Sequence, residues 1–350
     1  MIRIKARAPT VRAASLPMLW GALAVAYKFG CPLSTQEGLG ARIAGSVVFF
    51  AVGTGLMVHV RRALLRELRL ARRAARAAQS VVLRPLPPRL DGLGVAAAQL
   101  SADRGASVGG DLYEAVATEY GVRVVMGDVR GHGLAALGTV AALLGGFREA
   151  AHDEARLDDV LRRLERTLAR HLRERARAEH PSTGGTADHD NPVAEEFVTV
   201  LLLEIGRDGA LSALNCGHPW PYRLTGTAVE PLARVEPLPP LGPFPLPADL
   251  APRRCAPLRP AESLVLFTDG AQDARDARGR FFALPDALRA VVRDRPASPQ
   301  GVLRDLFTAL LRHTGGTPAD DVALLVLRDE REPTPTAREA AARPATTTHG

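Results

Sequence analysis

The sequence predicts an α/β domain preceded by an apolar, arginine-flanked N-terminal segment. Three observations carry this. Short apolar runs at 121–126, 197–205, 211–216, 263–267 and 322–327 read as strands, interspersed with helical patterns at 134–151, 156–177 and 299–313. An Asp208-Gly209 dipeptide between two of the strand runs reads as a hairpin turn. Two apolar runs without a carboxylate, 13–27 and 43–60, come before all of these.

The N-terminal runs are the first elements. A helix that crosses a bilayer needs roughly 20 apolar residues, with a lower limit of about 17. The run at 43–60 meets that limit. The run at 13–27 is shorter and ends beside Lys28, whose stem can carry its charge to a headgroup layer. The 32–42 link contains Pro32 and Gly38 and suits a tight hairpin. Arg3, Lys5, Arg7 and Arg12 precede the first run, and Arg61, Arg62, Arg66, Arg69, Arg72, Arg73 and Arg76 follow the second. Basic flanks at both ends place both on the cytoplasmic side. Residues 1–60 are therefore expected to form a two-helix hairpin in the cell membrane, with the rest of the chain cytoplasmic. A signal peptide followed by a core helix is the competing reading, and no A-x-A cleavage site follows the first run.

Residues 61–79 read as a basic linker helix. Leu64, Leu68, Ala71, Ala75 and Ala78 recur at alternating steps of four and three, a weak coiled-coil seam that could pair two copies of the chain. A solvated stalk lying along anionic headgroups is equally consistent. Pro85, Pro87 and Pro88 then interrupt the chain, and a globular domain is expected over 80–328. Within it, Leu157, Leu161, Leu164, Leu168 and Leu172 make the second helix amphipathic. Residues 181–191 are loop by composition, 231–260 are proline-rich and irregular, and 329–350 lack apolar periodicity and are expected to be disordered.

Composition narrows the partners. A hydrophobic content of 46% suffices for a core, and the net charge of +7 suits an anionic surface. Much of the basic excess sits in the first eighty residues beside apolar segments, which favours a membrane over nucleic acid. Aromatics make up only 5%, and none interleave with arginine as on a single-strand-binding surface. Cys31, Cys216 and Cys255 have no paired spacing, which argues against a disulfide scaffold or a zinc site.

Four acidic motifs carry the chemistry. They are Gly109-Gly110-Asp111, Gly127-Asp128-Val129-Arg130-Gly131-His132-Gly133, Thr268-Asp269-Gly270 and Asp320-Asp321. Each puts an aspartate at or beside the end of a strand-like run, flanked in most cases by glycine. Carboxylates in such places suit a hard divalent cation, and glycine lets backbone come close. All-oxygen donors favour Mg2+ or Mn2+ over zinc. Hydrolysis of a phosphate ester is one reaction that two such ions promote.

The order and wording of these motifs resemble the PPM family of metal-dependent serine/threonine phosphatases, in the bacterial branch typified by stage II sporulation protein E. The resemblance covers roughly residues 80–328. It implies a four-layer α-β-β-α sandwich of two mainly antiparallel sheets, with metals at one edge between them. It also implies two Mn2+ or Mg2+ ions that activate a water. By position, Asp111, Asp128, Asp269 and Asp320 fall on the family's metal-ligating aspartates, with Asp128 bridging both ions and the Val129 carbonyl adding a ligand. Asp111 and Asp128 are the residues assigned to catalysis. Asn215-Cys216-Gly217-His218-Pro219 resembles the branch's Asn-Ala-Gly-His-Pro turn and is read as structural. Leu83 to Pro88 and Leu241-Gly242 also fit the branch. Glu114 replaces an aspartate of the branch, but three residues along a strand it points away from Asp111. Ala261-Glu262 stands where the branch has Gly-Asp. Members of this branch act on phosphoserine or phosphothreonine of an anti-anti-sigma-type regulator, which makes such a phosphoprotein the expected partner.

Other readings remain. Gly131-His132-Gly133-Leu134-Ala135-Ala136 follows a strand and opens a helix, as a dinucleotide-binding loop does. That reading leaves Asp111, Asp269 and Asp320 unexplained. A catalytically inactive partner-binding member of the same fold is the non-enzyme alternative. His132 is read as local packing, and His180, Asp188, His189 and Asp190 as solvated loop residues.

Overall fold

The structure, a computed structural model, describes residues 47, 51–67, 81–100, 109–131, 133–179, 196–293, 298–316 and 318–332. The chain divides into two units, Met1–Ala74 and Ala75–Gly350.

In the first unit, residues 51–67 are helical. Val52, Met57, Val58, Leu64 and Leu65 are exposed on that helix. The 13–27 run and most of the seam (Leu68, Ala71, Ala75 and Ala78) lie outside the described residues.

The second unit is built on two antiparallel sheets. One has the order β1-β2-β11-β10-β7-β8. Its strands are β1 (Arg89–Leu90), β2 (Leu93–Leu100), β7 (Tyr222–Thr225), β8 (Ala228–Pro231), β10 (Ser263–Phe267) and β11 (Val322–Asp329). The other has the order β3-β4-β5-β6-β9. Its strands are β3 (Asp111–Thr118), β4 (Gly121–Val129), β5 (Val198–Ile205), β6 (Leu211–Cys216) and β9 (Arg253–Cys255). Among the described residues, five helices with both ends defined accompany the sheets: α1 (Leu134–Asp153), α2 (Leu157–Glu179), α3 (Gly270–Asp273), α4 (Leu284–Arg293) and α5 (Pro299–His313), and residues 81–82 are also helical.

The strand sequences are apolar on both faces because both faces are covered. Leu264 and Leu266 of β10 pack with Met126, Leu201, Leu203 and Leu325 between the sheets. Val265 and Phe267, one residue out of phase, pack outward with Leu288, Leu306 and Leu310 of α4 and α5. On the far side, Val125, Val200 and Leu202 pack with Val140, Leu144, Phe147, Leu161 and Leu164 of α1 and α2. The result is four layers, helix, sheet, sheet, helix. Among the described residues α1 alone is long and apolar enough to cross a membrane, but half of its apolar window is buried in this core.

Arg123 locks the helical layer to its sheet. It is fully buried in the middle of β4. Its Nε donates to Glu204 Oε2 at 2.7 Å, and Nη2 lies 2.6 Å from the same oxygen. Nη1 donates to Ala151 O and Glu154 O at 2.9 and 2.5 Å, and Nη2 to Ala155 O at 2.9 Å. One guanidinium thus neutralises a carboxylate and satisfies the carbonyls that the end of α1 leaves without partners.

Two expectations need correction. The last strand runs to Asp329, and Arg331 donates to Asp329, Gly206 O and Arg207 O, so residues 329–332 belong to the folded unit and not to a tail starting at 329. Residues 333–350 lie outside the described residues. The dinucleotide-loop alternative also fails. Every strand pairing in both sheets is antiparallel, so β4 and α1 do not belong to a parallel β-α-β unit.

Candidate active site

Two strand ends of the β3-containing sheet bring the first pair of carboxylates together. Asp111 opens β3, and its cross-strand partner in β4 is Asp128. Directly opposed residues of an antiparallel pair put their side chains on the same face. The glycines before Asp111 are required sterically. A Cβ on Gly110 would collide with Val129 O and sit 2.9 Å from Asp128 Oδ1, and one on Gly109 would occupy the place of the Asp321 carboxylate. The Val129 amide donates to Gly110 O at 3.1 Å and fixes this approach.

The opposite sheet supplies the rest. β10 ends at Phe267, paired with Leu324 of β11, so Asp269 and Asp320-Asp321 emerge at the same end. Thr268 is fully buried and joins the two ends. Its amide donates to Ala323 O at 3.1 Å, and its Oγ1 accepts from the Ala323 amide at 2.9 Å. Gly270 lies against Asp321 O, where a Cβ would collide. Asp269 opens the single turn α3, its carbonyl accepting from Gln272 and Asp273 at 2.8 Å.

Electrostatics show that these carboxylates sense one another. Burial raises Asp111 well above the usual carboxylate range, helped by the charges of Asp128, Asp321, Asp269 and Asp320. Burial pushes Asp128 up to about 7, and Asp269, Asp320 and Asp321 add to the rise. Asp269 is raised by burial and then by Asp320 and Asp273. Gln99 Nε2 donates to Asp111 Oδ2 at 3.5 Å, a long contact.

A half-buried set of oxygen donors that repel one another fits a divalent cation. The glycine cradle adds to the fit, since it leaves the Val129 carbonyl beside Asp128 uncovered by a side chain. Among the described residues no three acidic, histidine or cysteine side chains form a ready-made cage for an ion. The donors are therefore near enough to interact but are not drawn onto a single point.

The four aspartates singled out from the sequence all lie in this cluster. Asp321 is a fifth member, and its signal was its position beside Asp320. Glu114 lies elsewhere, bound to Arg148 of α1 through Nε at 2.7 Å and Nη2 at 2.5 Å. His132, His180, Asp188, His189 and Asp190 lie outside the described residues. His218 does more than form a turn: its Nδ1 is 3.0 Å from Thr199 Oγ1, which accepts from the Asp128 amide at 3.1 Å. Burial drives the His218 pKa down to about 3, with the Phe267 backbone opposing, so the ring is neutral. Thr199 carried no signal in the sequence.

Arg130 and the start of α1 flank the Asp128 strand end. Arg130 is exposed, with its guanidinium 5.3 Å from the Phe197 ring centroid. Gly131 and Gly133 take φ of 101° and 89°, left-handed values that suit glycine and turn the chain from β4 into α1. No side chain caps α1.

Comparisons with known proteins bear on the family and the fold. The family described as stage II sporulation protein E matches residues 118–329. No curated protein sequence matches the chain. Among solved structures, the RsbU and RsbW domains of a Mycobacterium tuberculosis protein share 23% identity with a TM-score of 0.52, covering 70% of this chain and 61% of that one. The chain thus spans about three-fifths of that neighbour's length. The SiaA PP2C domain of Pseudomonas aeruginosa shares 19% identity with a TM-score of 0.50, covering 77% and 98%. The PP2C phosphatase domain, with part of the regulatory domain, of stage II sporulation protein E from Bacillus subtilis shares 16% identity with a TM-score of 0.49, covering 69% and 65%.

Proposed function

The chain belongs to the stage II sporulation protein E family, and on that premise we propose that it is a metal-dependent protein serine/threonine phosphatase tethered to the cell membrane. The observation that carries the catalytic reading is the carboxylate cluster at one edge between the sheets, where burial and mutual repulsion raise Asp111, Asp128 and Asp269. Asp111, Asp128, the Val129 carbonyl, Asp269 and Asp320 are the residues that would hold the ions. When bound, two Mn2+ or Mg2+ ions supply positive charge to the phosphoryl oxygens and lower the pKa of water.

The protein's own groups have separable tasks. Asp111 and Asp128 must lose their protons for the site to load, so loading releases protons and strengthens as pH rises. Arg130 offers a guanidinium to a phosphoryl group at the β4 end. The uncapped first turn of α1 presents amides of the same polarity. Glu114 anchors α1 to β3 and takes no part in the chemistry.

The substrate in this reading is a phosphorylated regulator of the anti-anti-sigma type, a proposal that rests on the family. Residues 1–60 form the membrane hairpin with both ends cytoplasmic, 61–79 the linker helix that pairs two protomers, and the phosphatase domain starts near residue 80. The exposed Val52, Met57 and Val58 on the N-terminal helix support burial of that surface in lipid. The deciding experiment is hydrolysis of a phosphoserine protein by the full chain with Mn2+, Mg2+ or EDTA. Metal-dependent release of phosphate is expected. Equal release in EDTA, or none with either metal, refutes the reading.

A further inference from the structure

The Asn215–His218 turn explains its own backbone but not its imidazole. Asn215 Nδ2 donates to His218 O at 2.8 Å, and Asn215 Oδ1 accepts from the His218 amide at 2.9 Å. Gly217 supplies a left-handed φ of 70°, and the Leu238 amide donates to Asn215 O at 2.9 Å. None of these bonds uses the side chain of residue 218, so the turn would close around many side chains. Yet a histidine is placed there with 2% exposure, its Nδ1 taken up by the Thr199 hydroxyl. Burying a polar ring costs stability unless it is paired, so something other than the turn holds it there.

The ring has one side-chain partner, and that partner leads to the acidic cluster. His218 Nδ1 lies 3.0 Å from Thr199 Oγ1. Thr199 is the β5 residue paired with Asp128, and its Oγ1 accepts from the Asp128 amide at 3.1 Å. A hydroxyl that accepts from an amide still has its own proton to give, and Nδ1 of a neutral imidazole can accept it. The Phe267 backbone, two residues before Asp269, also acts on the ring.

We propose that His218 is a positioning residue that orients Thr199 and, through it, the Asp128 main chain. The proposal rests on the metallophosphatase reading, because the placement of Asp128 matters only if it grips an ion. Groups that orient ligands from behind typically change metal affinity about 10- to 100-fold.

The test is Mn2+ binding by calorimetry to the full chain, with unfolding temperature followed in parallel. Thr199→Val keeps the shape and removes the hydroxyl, and His218→Ala removes the ring. Each is expected to weaken Mn2+ binding about tenfold or more. The double variant should be little worse than either single one, because both cut the same link. Thr199→Ser, which restores the hydroxyl, and His218→Asn, which puts a polar atom near the Nδ1 position, should recover most of the affinity. Wild-type affinity in Thr199→Val, or additive losses in the double variant, overturns the proposal while leaving the metal reading intact. Should His218→Ala fail to fold, the Thr199→Val and Thr199→Ser pair decides alone. If the wild-type chain itself binds no Mn2+, the metal reading fails and this proposal fails with it.

Discussion

Asp128→Asn should make the metal-free protein more stable while destroying its activity. The folded state holds Asp128 at about 7, against an ordinary carboxylate value of 3.8. A carboxyl raised on folding costs nothing well below its unfolded value of 3.8, where it is protonated in both states. The cost grows as pH rises and is complete above pH 7, where the folded chain must carry the charge. At about 1.4 kcal/mol per pH unit, the rise from 3.8 to about 7 sets a ceiling of about 4 kcal/mol on the gain from a neutral isostere. Asparagine keeps the size of the side chain and leaves the main-chain bond to Thr199 untouched. The assay is urea unfolding in EDTA at pH 8 and at pH 4. The variant should be more stable at pH 8 and close to wild type at pH 4. With saturating Mn2+ the order should reverse, because only the wild type gains binding free energy. A variant that is destabilised at pH 8 in EDTA, or equally stabilised at both pH values, refutes the idea that burial and the neighbouring carboxylates raise Asp128 in the folded protein.

Asp269→Asn should abolish phosphate release while leaving the unfolding midpoint in EDTA at or above that of wild type. Gly110→Ala should fail differently: its Cβ meets Val129 O, so both stability, by about 1–3 kcal/mol, and turnover should fall. Arg123→Met should cost about 3–5 kcal/mol in chemical denaturation, since Glu204 loses its buried partner and three carbonyls lose their donor. In intact cells, an impermeant thiol reagent should label cysteines introduced in the 32–42 link and miss those from residue 80 onward; labelling of the 80–328 region would overturn the membrane proposal.

Much of the fold could be read from local pattern, and what could not has physical causes. The strands 211–216 and 263–267 and the helix 299–313 coincide with the sequence reading because their ends are marked locally, by Gly209 and Gly217, by Glu262, and by Ser298 capping α5 through the Gly301 amide. β2 escaped notice because its Ala96, Ala97 and Ala98 have no intrinsic strand preference; eight-residue pairing with β11 makes it a strand. α4 was missed although Pro285 suits a helix's first turn, because it is short and followed closely by another break. In the site, the aspartates were found through their shared glycine setting and the family resemblance. Asp321 against Gly109 depends on the approach of one sheet to the other, and His218 behind Asp128 on Thr199 of the strand between them, and neither has a local pattern to betray it.

The position of β11 has a consequence for how the protein is made. The last strand of the chain lies between β2 and β10, in the interior of its sheet and not at the edge. A ribosome-bound chain that has delivered Asp111, Asp128 and Asp269 still has a gap where Val322–Asp329 must pair on both sides. The sheet cannot close until residue 329 has left the exit tunnel, and Asp320 and Asp321 arrive only with that strand. Unfinished chains and fragments cut before it are thus left with half an acidic cluster, so any activity belonging to the cluster switches on only when synthesis has passed this point.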